Sequence, residues 1–319
     1  MLGDVELHRV EPSGPFSLVA AREFAGGFPA RIGGGEATDS SLVMAFPVEG
    51  WETSAVVELS QPGDDARVVA RVLGGGGATA LRQALRSVSL DHDGSGWPAV
   101  GQRDPVIGRL QVDQRYLRPV CFYSAYEAAT SFVIGQRIAR TQGARIKTWL
   151  GDNFGDRLEL DGRPFSAFPR PQRLLKLREA PGLNAEKIAR LHGLAEAAID
   201  GRLNTERLRA MPPAEALTEL RSLRGVGEFT AEGILLRGCG VADELPASDE
   251  LSRDAAAELH GLSAPLDDSS WREMTDRWRP YRMWAIVLLR VAWDRRRPGP
   301  ASYRRERGRP RATQARDRQ

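Results

Sequence analysis

The chain has 319 residues, 41% of them apolar. That is long enough for two or three packed domains, and no apolar run approaches the roughly 20 residues of a membrane helix. The formal charge is +3, but residues 294–319 hold ten arginines and three acids, so this segment carries +7 and residues 1–293 carry −4. The charge balance excludes a globally basic nucleic-acid coat for the body, so DNA binding has to come from local sites. Two cysteines, Cys121 and Cys239, exclude a disulfide framework or an iron–sulfur loop and are expected to be buried small apolar residues. The first fourteen residues have neither a basic nor an apolar signal region, so a cytoplasmic protein is expected.

Residues 1–118 read as an N-terminal α+β domain. A helix is predicted over 17–24. Strands are predicted over 41–48, 54–59 and 66–73, with turns at Gly50 and at Gln61-Pro62-Gly63. A helix follows over 80–88. Strands in sequence joined by short turns imply an antiparallel sheet with helices on one face. Asp91, Asp93 and Gly96 mimic the start of a calcium loop, but the twelfth position is Gln102, and His8, His92, His192 and His260 show no metal spacing. No metal site is expected.

Residues 119–293 are patterned as helices nearly throughout. Ser124 and Glu127 form a capping-box spacing, in which Ser124 accepts a backbone amide and Glu127 reaches back. The helix they open carries Ala128, Phe132, Ile134 and Ile138 on one apolar face. Further helices are predicted over 141–150, 171–177, 184–200, 214–220, 229–237, 249–259 and 284–293, with Asn184 and Pro213 as start signals. Residues 294–319, rich in Arg, Pro, Gly and Ser, are expected to be a disordered tail whose arginines can pair with phosphates.

The sharpest local signal is Leu223-Arg224-Gly225-Val226-Gly227, followed at once by Glu228, Phe229 and Thr230. One helix ends, a Gly-x-Gly turn follows and a new helix begins. The glycines permit positive φ and close approach of a phosphate, and the free amides at the new helix's start favour an anion. A plain helical corner with a glycine cap reads equally well from this pattern alone. Farther on, a Gly/Pro-rich loop runs into Asp249, four residues before Arg253. By itself Asp249 reads as a helix N-cap.

Taken together in order, several motifs resemble the AlkA family, 3-methyladenine DNA glycosylase II, of the helix-hairpin-helix base-excision DNA glycosylases. They are Tyr126–Ala129, Ile134–Arg137, Ala167–Leu174, the hairpin, the Asp loop and Arg277–Arg282. The resemblance implies a TATA-binding-protein-like N-terminal α+β domain and an all-α glycosylase core of two subdomains with the active site between them. It makes Asp249 the catalytic carboxylate, compatible with capping. It makes Leu223, Gly225, Val226, Gly227 and Thr230 the hairpin that holds DNA, and Gln136 and Arg137 the wedge that fills the gap left by an extruded base. An Arg at the wedge departs from the family's apolar residue.

The implied activity is hydrolysis of the N-glycosidic bond of a damaged, alkylated base in double-stranded DNA, by a monomer. Members that also cleave the backbone carry a Lys two residues after the hairpin's second Gly. Here Phe229 stands there, and no lysine follows Lys187. A monofunctional enzyme with water as nucleophile is implied. Phe229 reads either as a residue that stacks on the base or as a core aromatic near a helix start, and Tyr281 and Trp284 read either as further pocket aromatics or as core residues. By spacing, other aromatic positions of the family's pocket hold Gly233, Glu250 and Arg290, which leaves open an uncharged oxidised or deaminated base, or a non-catalytic binder of bent or damaged DNA. No cofactor is implied beyond a monovalent cation on the hairpin backbone. The remaining local acids, Asp243, Glu244, Glu250 and Asp254, are expected to be solvated.

Overall fold

The structure, a computed structural model, describes residues 5–26, 41–62 and 67–296. Gly63 of the expected turn and the Arg-rich segment from residue 297 onward lie outside the described residues.

Four antiparallel strands, β1 (Glu6–Val10), β2 (Ser41–Pro47), β3 (Ser54–Ser60) and β4 (Val68–Gly74), pair in the order β1-β4-β3-β2. Strand alternation sends Ala55, Val57 and Leu59 to one face, where they pack with Leu18 and Ala21 of α1 (Leu18–Gly26) and Ala80 and Ala84 of α2 (Gly77–Ser87). Val56 and Ala45 point to the other face and meet Leu160 and Phe165. Those two belong to a small hairpin, β5 (Arg157–Leu160) and β6 (Arg163–Ser166), within the stretch expected to be helical. The turn is Asp161-Gly162, both with positive φ, at 50° and 75°. This is the two-residue turn geometry that suits Asp-Gly. Arg71 on β4 holds Asp161 through two hydrogen bonds of 2.8 and 2.9 Å and Glu58 on β3 through a third, of 2.8 Å.

The helices form two cores. α5 (Ala125–Gly135), α6 (Arg140–Phe154), α7 (Pro171–Leu174), α8 (Ala185–Ile199), α9 (Thr205–Ala210), α10 (Pro213–Arg221) and α11 (Glu228–Gly233) share one, built on Tyr126, Ile134, Leu150, Leu191 and Ile234. α12 (Glu250–Leu259), α13 (Asp268–Asp276) and α14 (Arg282–Arg296) share the other with α3 (Trp97–Arg103) and α4 (Pro105–Asp113). Residues 97–117 precede the division expected at residue 118, yet Trp97, Val100, Ile107, Leu110 and Leu117 pack with Trp278, Trp284 and Leu288. α14 continues to Arg296, past the expected end at residue 293.

Asp104 joins elements of this second core. It caps α4, accepting from the Val106 and Ile107 amides, and takes Trp278 Nε1 at 2.8 Å and His260 Nε2 at 3.0 Å. Between the sheet and the helices, Arg86, 2% exposed, bonds Glu49 and Glu206, and Trp51 Nε1 donates to the Ala198 carbonyl. Cys121 and Cys239 are buried free thiols. Asp91 pairs with Arg209, and Asp93 accepts from Ser13 Oγ and the Ser95 amide.

Candidate active site

α10 starts with Pro213 in its first turn and ends at Arg221, with Ser222 as its C-cap, and the chain reverses through Leu223–Gly227 into α11. Gly225 has φ +86°, a conformation costly for a residue with a Cβ, and a Cβ there would also stand 2.6 Å from Arg190 Cδ. Gly227, the N-cap of α11, is exposed, and nothing lies within 4 Å of where its Cβ would be. Leu223, Val226 and Thr230 are buried. Their side chains anchor the turn, so it is the backbone around Gly225 and Gly227 that is open to a phosphate. Two of the turn's carbonyls are already engaged: Leu223 O accepts the Val226 amide, and Gly225 O accepts Gln136 Nε2 at 2.9 Å.

The α5–α6 turn holding Gln136 and Arg137 therefore rests directly on the hairpin. Gln136 Oε1 also accepts from Arg190 Nη1 at 3.0 Å, and Lys187 Nζ donates to the Ile134 and Gln136 carbonyls at 2.8 and 2.9 Å. Gln136 is thus a clamp between turn and hairpin, and the exposed residue is Arg137, with φ +60°. A non-glycine residue held in the left-handed region marks a backbone that its surroundings over-determine.

Asp249 caps α12. Its Oδ1 accepts the Ser252 amide at 3.3 Å and its Oδ2 accepts Ser252 Oγ at 2.5 Å. Arg290 Nη1 lies 3.9 Å from Oδ1, and the Asp249 side chain keeps 22% of its surface open. The loop leading to Asp249 is fixed at both ends. At its start, Asp243 takes Arg282 Nε and Arg279 Nη1, each at 2.9 Å, and Ala242 O accepts the Met283 amide. Asp243 is thus tied by two arginines rather than solvated. At its end, Glu232 on α11 accepts the Ala247 amide at 2.8 Å and both the amide and hydroxyl of Ser248. Glu232 is buried and was not singled out from sequence. Only its distant partners reveal its role, because a Glu in a short helix carries no such signal by itself.

No protein-family model matches the chain. Among curated relatives, it is 23% identical over 205 residues to the DNA-3-methyladenine glycosylase of Bacillus subtilis, covering 63% of this chain and 67% of that one. It is 26% identical over 189 residues to DNA-3-methyladenine glycosylase 2 of Escherichia coli, covering 57% and 63%. The matches thus span about two thirds of the length of these two relatives. The solved 3-methyladenine DNA glycosylase from Archaeoglobus fulgidus superposes with a TM-score of 0.72 at 21% identity, over 91% of this chain and 99% of that one. The chain is thus similar in sequence to DNA-3-methyladenine glycosylases and shares the fold of a solved one.

Against the AlkA-like pattern, the pocket aromatics are redistributed. Phe229 is 52% exposed at the start of α11, so it is not a core residue. Its ring stands edge-on to Phe132 of α5, with centroids 6.0 Å apart. Phe132 fills the space over Gly233, where a Cβ would lie 2.3 Å from its Cζ. An aromatic from another helix thus occupies the room left by a glycine at one of the family's aromatic positions. From sequence, Phe132 reads only as part of an apolar helix face. Tyr281 and Trp284 are both buried in the second core, packed against each other and Trp97, with Tyr281 Oη on the Asp93 carbonyl. Their spacing after the Asp loop suits a pocket, but α3 covers them. Glu250 is exposed beside Asp249.

The capping box is formed in half. Ser124 Oγ accepts the Glu127 amide at 3.1 Å, while the Glu127 carboxylate is buried near Lys147. Burial drives Glu127 up to about 7 and Lys147 down to about 8, each opposed by the charge of the other.

Proposed function

We propose that this protein is a monofunctional DNA glycosylase that hydrolyses the N-glycosidic bond of a damaged, alkylated base in duplex DNA. The observation that carries this reading is a half-open Asp249 carboxylate tied, through Glu232, to the glycine hairpin. A phosphate held at Gly225 and Gly227 fixes one strand without reading sequence. With the base rotated out, Arg137 enters the gap, since a guanidinium plane can stack on the neighbouring bases. Phe229 offers a π-face to the extruded base.

Asp249 does the chemistry by position. As the bond from C1′ to the base nitrogen lengthens, positive charge grows on the sugar, and a fixed carboxylate beside it lowers the energy of that state. Water then adds to C1′. Two of the three lysines are unsuited to take its role: Lys147 is 2% exposed, and Lys187 is committed to two carbonyls. The product is an intact strand with an abasic site.

The test is base release from duplexes carrying 3-methyladenine, 7-methylguanine, hypoxanthine or 8-oxoguanine. The reading predicts release of free base from at least one alkylated duplex, with strand scission only after alkali. Duplex binding without release of any base would overturn it in favour of a non-catalytic binder.

A further inference from the structure

Arg290 projects from α14 at one of the positions where the AlkA-like resemblance places a pocket aromatic. Its Nη1 lies 3.9 Å from Asp249 Oδ1, within ion-pair range but beyond a hydrogen bond, and this nitrogen is buried with no hydrogen-bond partner. The guanidinium is held over the Trp293 ring at 5.2 Å. Asp249 meanwhile receives its hydrogen bonds from Ser252. A guanidinium cation with an unused N–H therefore sits beside the proposed reacting centre. An unsatisfied buried donor is relieved by whatever acceptor enters the site.

The charge matters because damaged bases leave in two ways. A ring-alkylated purine carries a fixed positive charge, and the electron pair of the breaking C1′–N bond neutralises it, so the base departs neutral. An uncharged base takes the same pair and departs as an anion. A guanidinium nearby disfavours binding of the first and stabilises the transition state of the second. The same pocket has Gly233 and Glu250 at positions where the resemblance implies aromatics that would favour a cation through their π-faces.

We propose that Arg290 is a specificity-determining residue of this pocket and widens its range from alkylated bases with a fixed positive charge to uncharged damaged bases bearing a hydrogen-bond acceptor. This rests on the glycosylase reading of Asp249. In the step, the C1′–N bond breaks heterolytically and its pair goes to the base nitrogen. Arg290 Nη1–H hydrogen-bonds the departing base. Water adds its oxygen to C1′ and gives a proton to solvent, and the base anion takes one proton from solvent, which completes the hydrolysis.

The experiment compares single-turnover release of hypoxanthine, which is uncharged, and 7-methylguanine, which is cationic, from matched duplexes by the wild type, Arg290→Met, Arg290→Lys and Asp249→Asn. Arg290→Met should slow hypoxanthine release by about 100-fold, the scale of one lost transition-state donor, and leave 7-methylguanine release unchanged or faster. Arg290→Lys keeps the charge, guards against a loss caused by misfolding and should retain part of the hypoxanthine release. Equal losses on both bases in Arg290→Met and Arg290→Lys would overturn the proposal, as would an unchanged hypoxanthine rate in Arg290→Met or a wild type that releases only 7-methylguanine. Full activity of Asp249→Asn on both bases would instead remove the reading on which the proposal stands.

Discussion

Glu232 accepts the amide and the hydroxyl of Ser248, the residue immediately before Asp249. The hairpin helix that would hold the DNA backbone and the loop that presents the carboxylate are therefore one mechanical unit. Glu232→Gln keeps the shape but removes the charge and turns an N–H group toward amides that need acceptors. We expect base release to slow by about 10- to 100-fold through misplacement of Asp249, with duplex affinity nearly unchanged. Single-turnover kinetics beside fluorescence-anisotropy binding checks this, and an unchanged rate would show that Asp249 does not depend on the link.

Phe229 is exposed and touches Phe132 edge-on, so its ring contributes little to the core. Phe229→Ala should leave the melting temperature nearly unchanged, as surface changes do, within about 0.5 kcal/mol. Affinity for a lesion duplex should fall by about 10-fold, the scale of one lost base–aromatic stack. A fall in melting temperature with unchanged affinity would return Phe229 to a structural role.

Lys147 lies behind Ser131, with Nζ 3.4 Å from its hydroxyl, and Lys187 spans the Ile134 and Gln136 carbonyls. Neither is arranged to attack a sugar. Borohydride added during base release should trap no protein–DNA adduct, as judged by denaturing electrophoresis. A robust adduct would mean an amine nucleophile and a different mechanism.

The Asp104–His260 contact makes a pH-dependent contribution to stability. Burial opposes the charged Asp104, but hydrogen bonds from His260 and Trp278 outweigh it and lower its value from 3.8 to about 2. Burial likewise opposes a charged His260, and Asp104 outweighs it, raising His260 above 6.5. The Asp104 share is present above its unfolded value and lost as pH falls toward 2. The His260 share is present below pH 6.5 and lost as pH rises through its raised value. The stability gap between wild type and His260→Gln should be widest between those limits and shrink on both sides. Urea denaturation across pH 3 to 9 measures it, and a gap independent of pH would contradict the pairing.

Much of the frame was legible because it rests on local rules. Strand composition between turn signals marked β2, β3 and β4, Asn184 and Pro213 marked helix starts, the paired glycines marked the turn into α11, and Asp249 marked the start of α12. What escaped was short or long-range. β5 and β6 have four residues each, too few for alternation to stand out against helical neighbours, although Asp161-Gly162 was a readable turn. α3 and α4 carry few periodic apolar positions and are stabilised by packing on α12–α14. Glu232, Phe132 and the Asp243 pairings depend on partners at least 15 residues away or on other elements, which no spacing rule reports. Sequence spacing also does not say what covers a ring, as Trp97 does for Tyr281 and Trp284.

The central claim is that the Asp249 carboxylate stabilises the cationic sugar during base loss. Asp249→Asn preserves size and can still accept the Ser252 amide, so the cap survives while the charge is gone. Single-turnover release from whichever damaged duplex the wild type processes is the direct measurement. The account predicts a loss of about 100-fold or more with lesion binding retained. A rate near wild type in a folded Asp249→Asn protein would contradict it.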